Sequence, residues 1–128
     1  MNFFYLRQGG KYSKVPIREI RYITGEKKFI KVYTTERSYL TDISLNSFEK
    51  GLPSNLFCRI HRSFIISLLH LSDFDNTTAY VAGEKLPIAK AYKEMLKSKI
   101  FIFEENDISE IWIRFSEFNS FFGYSNLS

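Results

Sequence analysis

A shortage of cysteine is the first restriction on this 128-residue chain, which holds only Cys58. One thiol closes no internal disulfide, so nothing points to an oxidising compartment and the fold must rest on its core. Paired metal ligands are missing too. There is no Cys-x-x-Cys and no His-x-x-x-His, and Cys58, His61 and His70 lack the spacing of a zinc site. No metal and no cofactor is expected, and neither common type of glycine-rich phosphate loop occurs. No apolar run approaches the roughly 20 residues that span a bilayer. The start, Met1-Asn2-Phe3-Phe4-Tyr5-Leu6-Arg7, has neither the basic lead nor the long apolar stretch of a signal peptide. The expectation is a cytoplasmic protein with no membrane partner. Cys58 and His61 are the one pairing that hints at a thiol nucleophile with its base. Three apart on a strand, they point to opposite faces, so a buried structural cysteine and no enzymatic activity are expected.

What the chain has in quantity is apolar and aromatic surface, with 45% hydrophobic and 17% aromatic residues. At this length a single domain buries roughly two-thirds of its unfolded surface without further support. Thirteen Phe and eight Tyr favour strands over helices. The net charge of +4 is unevenly placed: residues 1–100 hold 17 Lys and Arg against 9 Asp and Glu, and residues 101–128 hold 1 against 5. A basic body is the footprint of a polyanion binder, although ordinary basic domains share it.

The first half reads as short strands separated by turns. Phe3 to Leu6 and Tyr12 to Val15 flank Gly9-Gly10, a hairpin signal, and Pro16 ends the second strand. Strands are expected over Ile20 to Thr24, Phe29 to Thr34 and Ser38 to Ile43, with Lys27 and Lys28 in a polar turn. Ser44 is a helix N-cap for Leu45, Phe48 and Leu52, and Gly51 and Pro53 stop that helix near two turns. The apolar run Leu56 to Ile66 is interrupted by basic and polar residues. Further strands are expected over Leu69 to Phe74, Ala79 to Ala82 and Lys85 to Ile88, then a helix from Ala89 to Ile102. Asp107 and Glu110 open a capping-box-like start. Ile108, Ile111, Trp112, Phe115, Phe118 and Phe122 then recur at helical spacing, an amphipathic face that needs a partner surface. An alternating strand through Ile111, Ile113 and Phe115 is the rival reading. The division expected is a domain over 1–103 and an acidic aromatic extension over 104–128.

The segment Arg59-Ile60-His61-Arg62-Ser63-Phe64 resembles the Arg-Ile-His-Arg-Ser-Tyr/Phe core of LytTR domains. The neighbouring segments match in order: Ile20-Arg21-Tyr22-Ile23, Phe29-Ile30-Lys31-Val32-Tyr33-Thr34, Tyr39-Leu40-Thr41, Leu52-Pro53 and Lys85-Leu86-Pro87-Ile88-Ala89-Lys90. The resemblance spans about residues 3 to 100. It implies a mainly β fold of small antiparallel sheets stacked into an elongated body with short helices, unlike any helix-turn-helix protein. It also implies a transcription regulator that binds double-stranded DNA through loops in successive major grooves. LytTR domains usually follow a receiver domain. Here 128 residues beginning at the first strand leave no room for one, so a separate signalling partner is expected.

By the same resemblance, Arg62 is the base reader, a role its planar fork suits because it can grip guanine O6 and N7 together. His61 either touches DNA or orients the loop. Arg59 and Ser63 are expected to hold phosphates, and Lys27 and Lys28 sit where the family inserts another loop. Family members commonly read Leu-Pro-Val-Ser-Arg-Arg where this chain has Leu86-Pro87-Ile88-Ala89-Lys90-Ala91. Base reading is therefore in question there, while Lys90, Tyr92 and Lys93 remain candidates for the DNA backbone. Ser67 stands where Asn is common. Two copies on paired DNA sites, or a homodimer through the extension, are expected. The alternative is a non-enzymatic protein-interaction module that keeps the fold and has lost DNA readout.

Overall fold

The computed structural model describes residues 2–104. The chain divides into two compact units, residues 1–96 and 97–128, and among the described residues every sheet belongs to the first. In the second, the rings of Phe101 and Phe103 meet edge to face at 4.8 Å. The apolar face expected at Ile108, Ile111, Trp112, Phe115, Phe118 and Phe122 lies outside the described residues.

Strand β1 (Phe3–Gln8) returns as β2 (Lys11–Pro16) through Gly9-Gly10, and Gly9 takes the positive φ of +61° that such a two-residue turn requires. After a 3-10 turn at Ile17–Glu19 come β3 (Ile20–Gly25), β4 (Ile30–Thr34) and β5 (Ser38–Thr41). Helix α1 (Leu45–Gly51) starts as expected, with the Ser44 hydroxyl accepting from the Ser47 N–H at 3.1 Å. The interrupted run 56–66 folds into two strands, β6 (Phe57–His61) and β7 (Phe64–Ser67), joined by a tight turn at Arg62-Ser63. A three-stranded meander of β8 (Leu71–Phe74), β9 (Thr78–Val81) and β10 (Glu84–Pro87) follows.

The five-stranded sheet, in the order β5-β4-β3-β7-β6, is the central layer. Its strands alternate between two cores. Ile23, Ile30, Val32, Phe57 and Ile65 join Leu6 and Val15 of the first hairpin and Leu45 and Phe48 of α1. Cys58, Ile60 and Ile66 point the other way, to Ala79, Val81 and Leu86 of the meander. Both faces are covered, and this is why the run Leu56 to Ile66 is apolar beyond a simple alternation.

The sequence expectation differs most after β10. In place of a helix from Ala89 to Ile102 there is a 3-10 turn at Lys90–Tyr92 and a short α2 (Lys93–Ser98). Ala89 stays extended because its N–H donates to the Ile60 carbonyl at 2.8 Å. Past Ser98, the run Ile100-Phe101-Ile102 consists of β-branched and aromatic residues that extend a helix poorly. The strand expected from Leu69 begins only at Leu71, because the Ser67 hydroxyl accepts the Leu69 N–H at 3.2 Å and closes a turn there.

The β8–β9 turn carries a titratable lock. Asp75 accepts the N–H groups of Thr77 at 2.9 Å and Thr78 at 2.8 Å, which holds its carboxyl below the usual aspartate range. A depressed folded-state value means that this stabilisation is present above the unfolded aspartate range and is lost as pH falls through the folded one. The melting-temperature gap between the native protein and Asp75→Ala is therefore expected to narrow as pH falls below about 4. A gap independent of pH would show that the carboxylate charge plays no part.

Candidate functional site

The turn at Arg62-Ser63 is pinned on every side. Arg59, at the start of the β6 bulge, donates from Nε to the His61 carbonyl at 3.0 Å and from Nη2 to the Arg62 carbonyl. Its Nη1 reaches Asn46 Oδ1 at 2.7 Å and Glu49 Oε1 at 2.9 Å, both on α1. The Ser63 N–H donates to His61 Nδ1 at 3.0 Å, and the Ser63 carbonyl accepts from the Gly25 N–H at 2.9 Å. An Nδ1 that accepts leaves the imidazole proton on Nε2, so His61 offers a donor from that nitrogen. Its ring also packs against Phe64, with centroids 5.4 Å apart. The Arg62 side chain is exposed.

Two further segments meet this turn. The Gly25 bond to Ser63 sets the β3–β4 loop beside it, and Glu26 N–H to Phe29 carbonyl, 2.9 Å, closes the loop that carries the exposed Lys27 and Lys28. On the other flank, the bond from Ala89 to Ile60 holds the Lys90–Tyr92 turn against β6 one residue from His61. The structure thus gathers Lys27, Lys28, His61, Arg62, Ser63, Lys90 and Tyr92 at one end of the central sheet, and Lys93 follows as the first residue of α2.

The cations there are uncommitted. Among the described residues the one ion pair is Arg59 with Glu49, so Lys27, Lys28, Arg62, Lys90 and Lys93 have no carboxylate partner. Arg59 is the opposite case: its side chain is 12% exposed and at least four of its five N–H groups are spent inside the protein. No three of His, Cys, Asp and Glu come together among the described residues. Cys58 is buried in the core beneath the meander, and the second histidine, His70, donates to the Arg18 carbonyl at 2.7 Å.

Sequence reasoning missed Asn46, Glu49 and Gly25. Asn46 and Glu49 are one turn apart on the polar side of α1, where nothing in the pattern says that an arginine will meet them. Gly25 is required by a close approach, since a Cβ there would lie 2.9 Å from Leu45 Cβ. Gly25→Ala is expected to cost about 1–3 kcal/mol through overpacking, read as a lower denaturant midpoint. An unchanged midpoint would mean that α1 shifts away freely.

Comparison with known proteins gives this site its setting. The LytTr DNA-binding domain family matches residues 10–101, which is most of the chain. The chain belongs to the LytTR family. Among its relatives, the sensory transduction protein LytT of Bacillus anthracis is 32% identical over 94 residues, covering 69% of this chain and 38% of the relative. LytT of Enterococcus faecalis is 28% identical over 110 residues, with 73% of this chain and 46% of the relative covered. The chain therefore spans less than half the length of these curated relatives. A solved LytTr DNA-binding domain, from a putative methyl-accepting/DNA response regulator of Bacillus cereus, superposes with a TM-score of 0.65 at 26% identity. That match covers 77% of this chain and 96% of the other.

Against the usual LytTR pattern, Ala89 and Ala91 remove a hydroxyl and a guanidinium from the third segment, and only Lys90 keeps a long donor there. Ser67 in place of Asn is accommodated: it is fully buried and its hydroxyl caps the following turn.

Proposed function

We propose that this LytTR domain is a sequence-specific, double-stranded DNA-binding transcription regulator. The observation that carries this reading is the gathering, at one end of the central sheet, of cationic side chains from three separate segments, without acidic partners among the described residues. Lysines on such a rim neutralise phosphates without regard to sequence, which brings the protein onto DNA and sets its register. A pinned turn then offers Arg62 to a base edge in a major groove, where each pair has its own donor and acceptor pattern. The β3–β4 loop, with Lys27 and Lys28, enters the neighbouring groove. Lys90, Tyr92 and Lys93 hold the backbone, and His61 and Ser63 contact DNA from the turn that they also shape. Because the turn is already ordered by internal hydrogen bonds, little conformational entropy is lost on binding.

Two copies act on paired sites, joined through the apolar positions Ile108, Ile111, Trp112, Phe115, Phe118 and Phe122, and a separate signalling protein sets their activity. Light scattering on the full chain and on a chain ending at residue 103 tests the first of these. Equal masses for the two would remove the extension from the interface. Among the described residues no helix is long and apolar enough to cross a membrane.

Selection from a pool of random duplexes tests the proposal. An enriched motif that competes for binding at physiological salt is the expected result, and the absence of any enrichment would contradict it. The protein-interaction reading has one observation in its favour. The outward side of the first hairpin exposes Phe3, Tyr5 and Tyr12 beside the cation Lys14, and no acidic residue falls between positions 3 and 16. It predicts a stable protein complex together with an unenriched duplex pool.

A further inference from the structure

The resemblance to other LytTR domains places Arg59 among the phosphate contacts, yet its surroundings assign it other work. Its guanidinium bridges helix α1 and the turn that joins β6 to β7. On one side are Asn46 and Glu49 of α1, and on the other the carbonyls of His61 and Arg62. Those two carbonyls belong to the peptide units just before and just after Arg62, so one planar fork orients both peptide planes that aim the Arg62 side chain. The same helix supports the neighbouring loop, because Leu45 sits where only a glycine at position 25 leaves room, and Gly25 donates to Ser63. Helix α1 is therefore a common footing for two DNA-facing loops, and Arg59 is the tie that fastens the first of them to it.

We infer that Arg59 is a positioning residue for base discrimination, acting through Arg62 by holding the His61 and Arg62 carbonyls against Asn46 and Glu49. The inference rests on the DNA-reading role proposed for Arg62. A lysine keeps the charge and cannot reproduce the fork, since an ammonium is a compact point charge that does not span acceptors on opposite sides. Charge-assisted hydrogen bonds of this kind carry enough energy that losing two or more is worth a tenfold effect or greater when the aim of a reader depends on them.

The test measures the full chain on a selected duplex and on a random duplex at the same salt. Arg59→Lys is expected to lower affinity for the selected duplex about 10-fold or more while random-duplex affinity stays within about threefold. Glu49→Gln, which keeps an acceptor for Nη1, is expected to retain discrimination. Glu49→Leu, which removes it, is expected to lose part. The decisive comparison is Arg59→Lys combined with Arg62→Ala. If Arg59 works through Arg62, the double variant discriminates no worse than Arg62→Ala alone.

Equal losses on both duplexes for Arg59→Lys would reduce the residue to fold support and overturn the inference. Additive losses of discrimination in the double variant would also overturn it, because Arg59 would then act on DNA by itself. Should Arg59→Lys fail to fold, Asn46→Ala and Glu49→Leu carry the same comparison. If Arg62→Ala leaves discrimination intact, the reading role fails and this inference falls with it. If Arg62→Ala abolishes discrimination and every α1-side variant leaves it whole, only the inference fails.

Discussion

Replacing Arg62 with alanine is expected to cost about 1–3 kcal/mol of discrimination, confined to one base position of the bound site. Ser63 N–H, Ser63 carbonyl, His61 carbonyl and Arg62 carbonyl are all satisfied inside the protein, so the turn keeps its shape when the side chain is truncated. The Arg62 guanidinium has no carboxylate partner among the described residues, so its removal leaves no buried charge behind. What is lost is the planar fork, and with it, in the reading role proposed for Arg62, the means to favour guanine over the other bases. Binding constants on a panel of duplexes altered one position at a time measure this. A uniform loss across the panel, equal on random DNA, would remove Arg62 from the reading role. Lys31 is a suitable control, since it lies within β4 with its ammonium 5.1 Å from the centre of the Tyr33 ring. Lys31→Ala is expected to change little beyond the salt slope.

Raising salt from 50 to 200 mM is expected to weaken binding by about 500-fold, the change that follows if about five phosphates are neutralised and log affinity falls with log salt at a slope near −4.5. The cations available for this role are Lys27, Lys28, Lys90 and Lys93, with Arg62 beside them. Among the described residues all five lack an acidic partner, so none has an ion pair there to break on reaching DNA. Lys27→Ala and Lys28→Ala are each expected to make the slope shallower by about 1 on specific and random duplexes alike. A slope near zero for the native chain would contradict phosphate docking altogether.

Much of this architecture is legible in the residues. The Gly9-Gly10 hairpin, the Ser44 cap and the strand at Ile20 depend on local chemistry, which the chain writes openly. The length of the last helix is less legible, because a bond from Ala89 to Ile60, 29 positions away, decides where helical backbone begins. At the site, Lys27, Lys28 and Arg62 are recognisable because exposed cations on turns need no tertiary knowledge to be noticed. Whether His61 touches DNA or shapes its loop is open from sequence alone. The ring nitrogen that accepts from Ser63 gives it a shaping role, whatever else its Nε2 does. Arg59 is the instructive residue. Its neighbours in the chain make it look like one more surface cation, and only the fold brings Asn46 and Glu49 to it. A charged residue's task depends on whether its partners lie inside the protein or beyond it, and spacing along a strand carries no record of that.

DNA recognition as proposed needs three segments to meet the duplex as one surface, and amide chemical-shift mapping on the full chain with a selected duplex tests this most directly. The predicted result is that the largest shifts fall in residues 26–29, 61–63 and 89–93 together, while the 3–16 hairpin and the 71–81 part of the meander stay nearly still. Shifts concentrated on that hairpin, or limited to just one of the three segments, would contradict it.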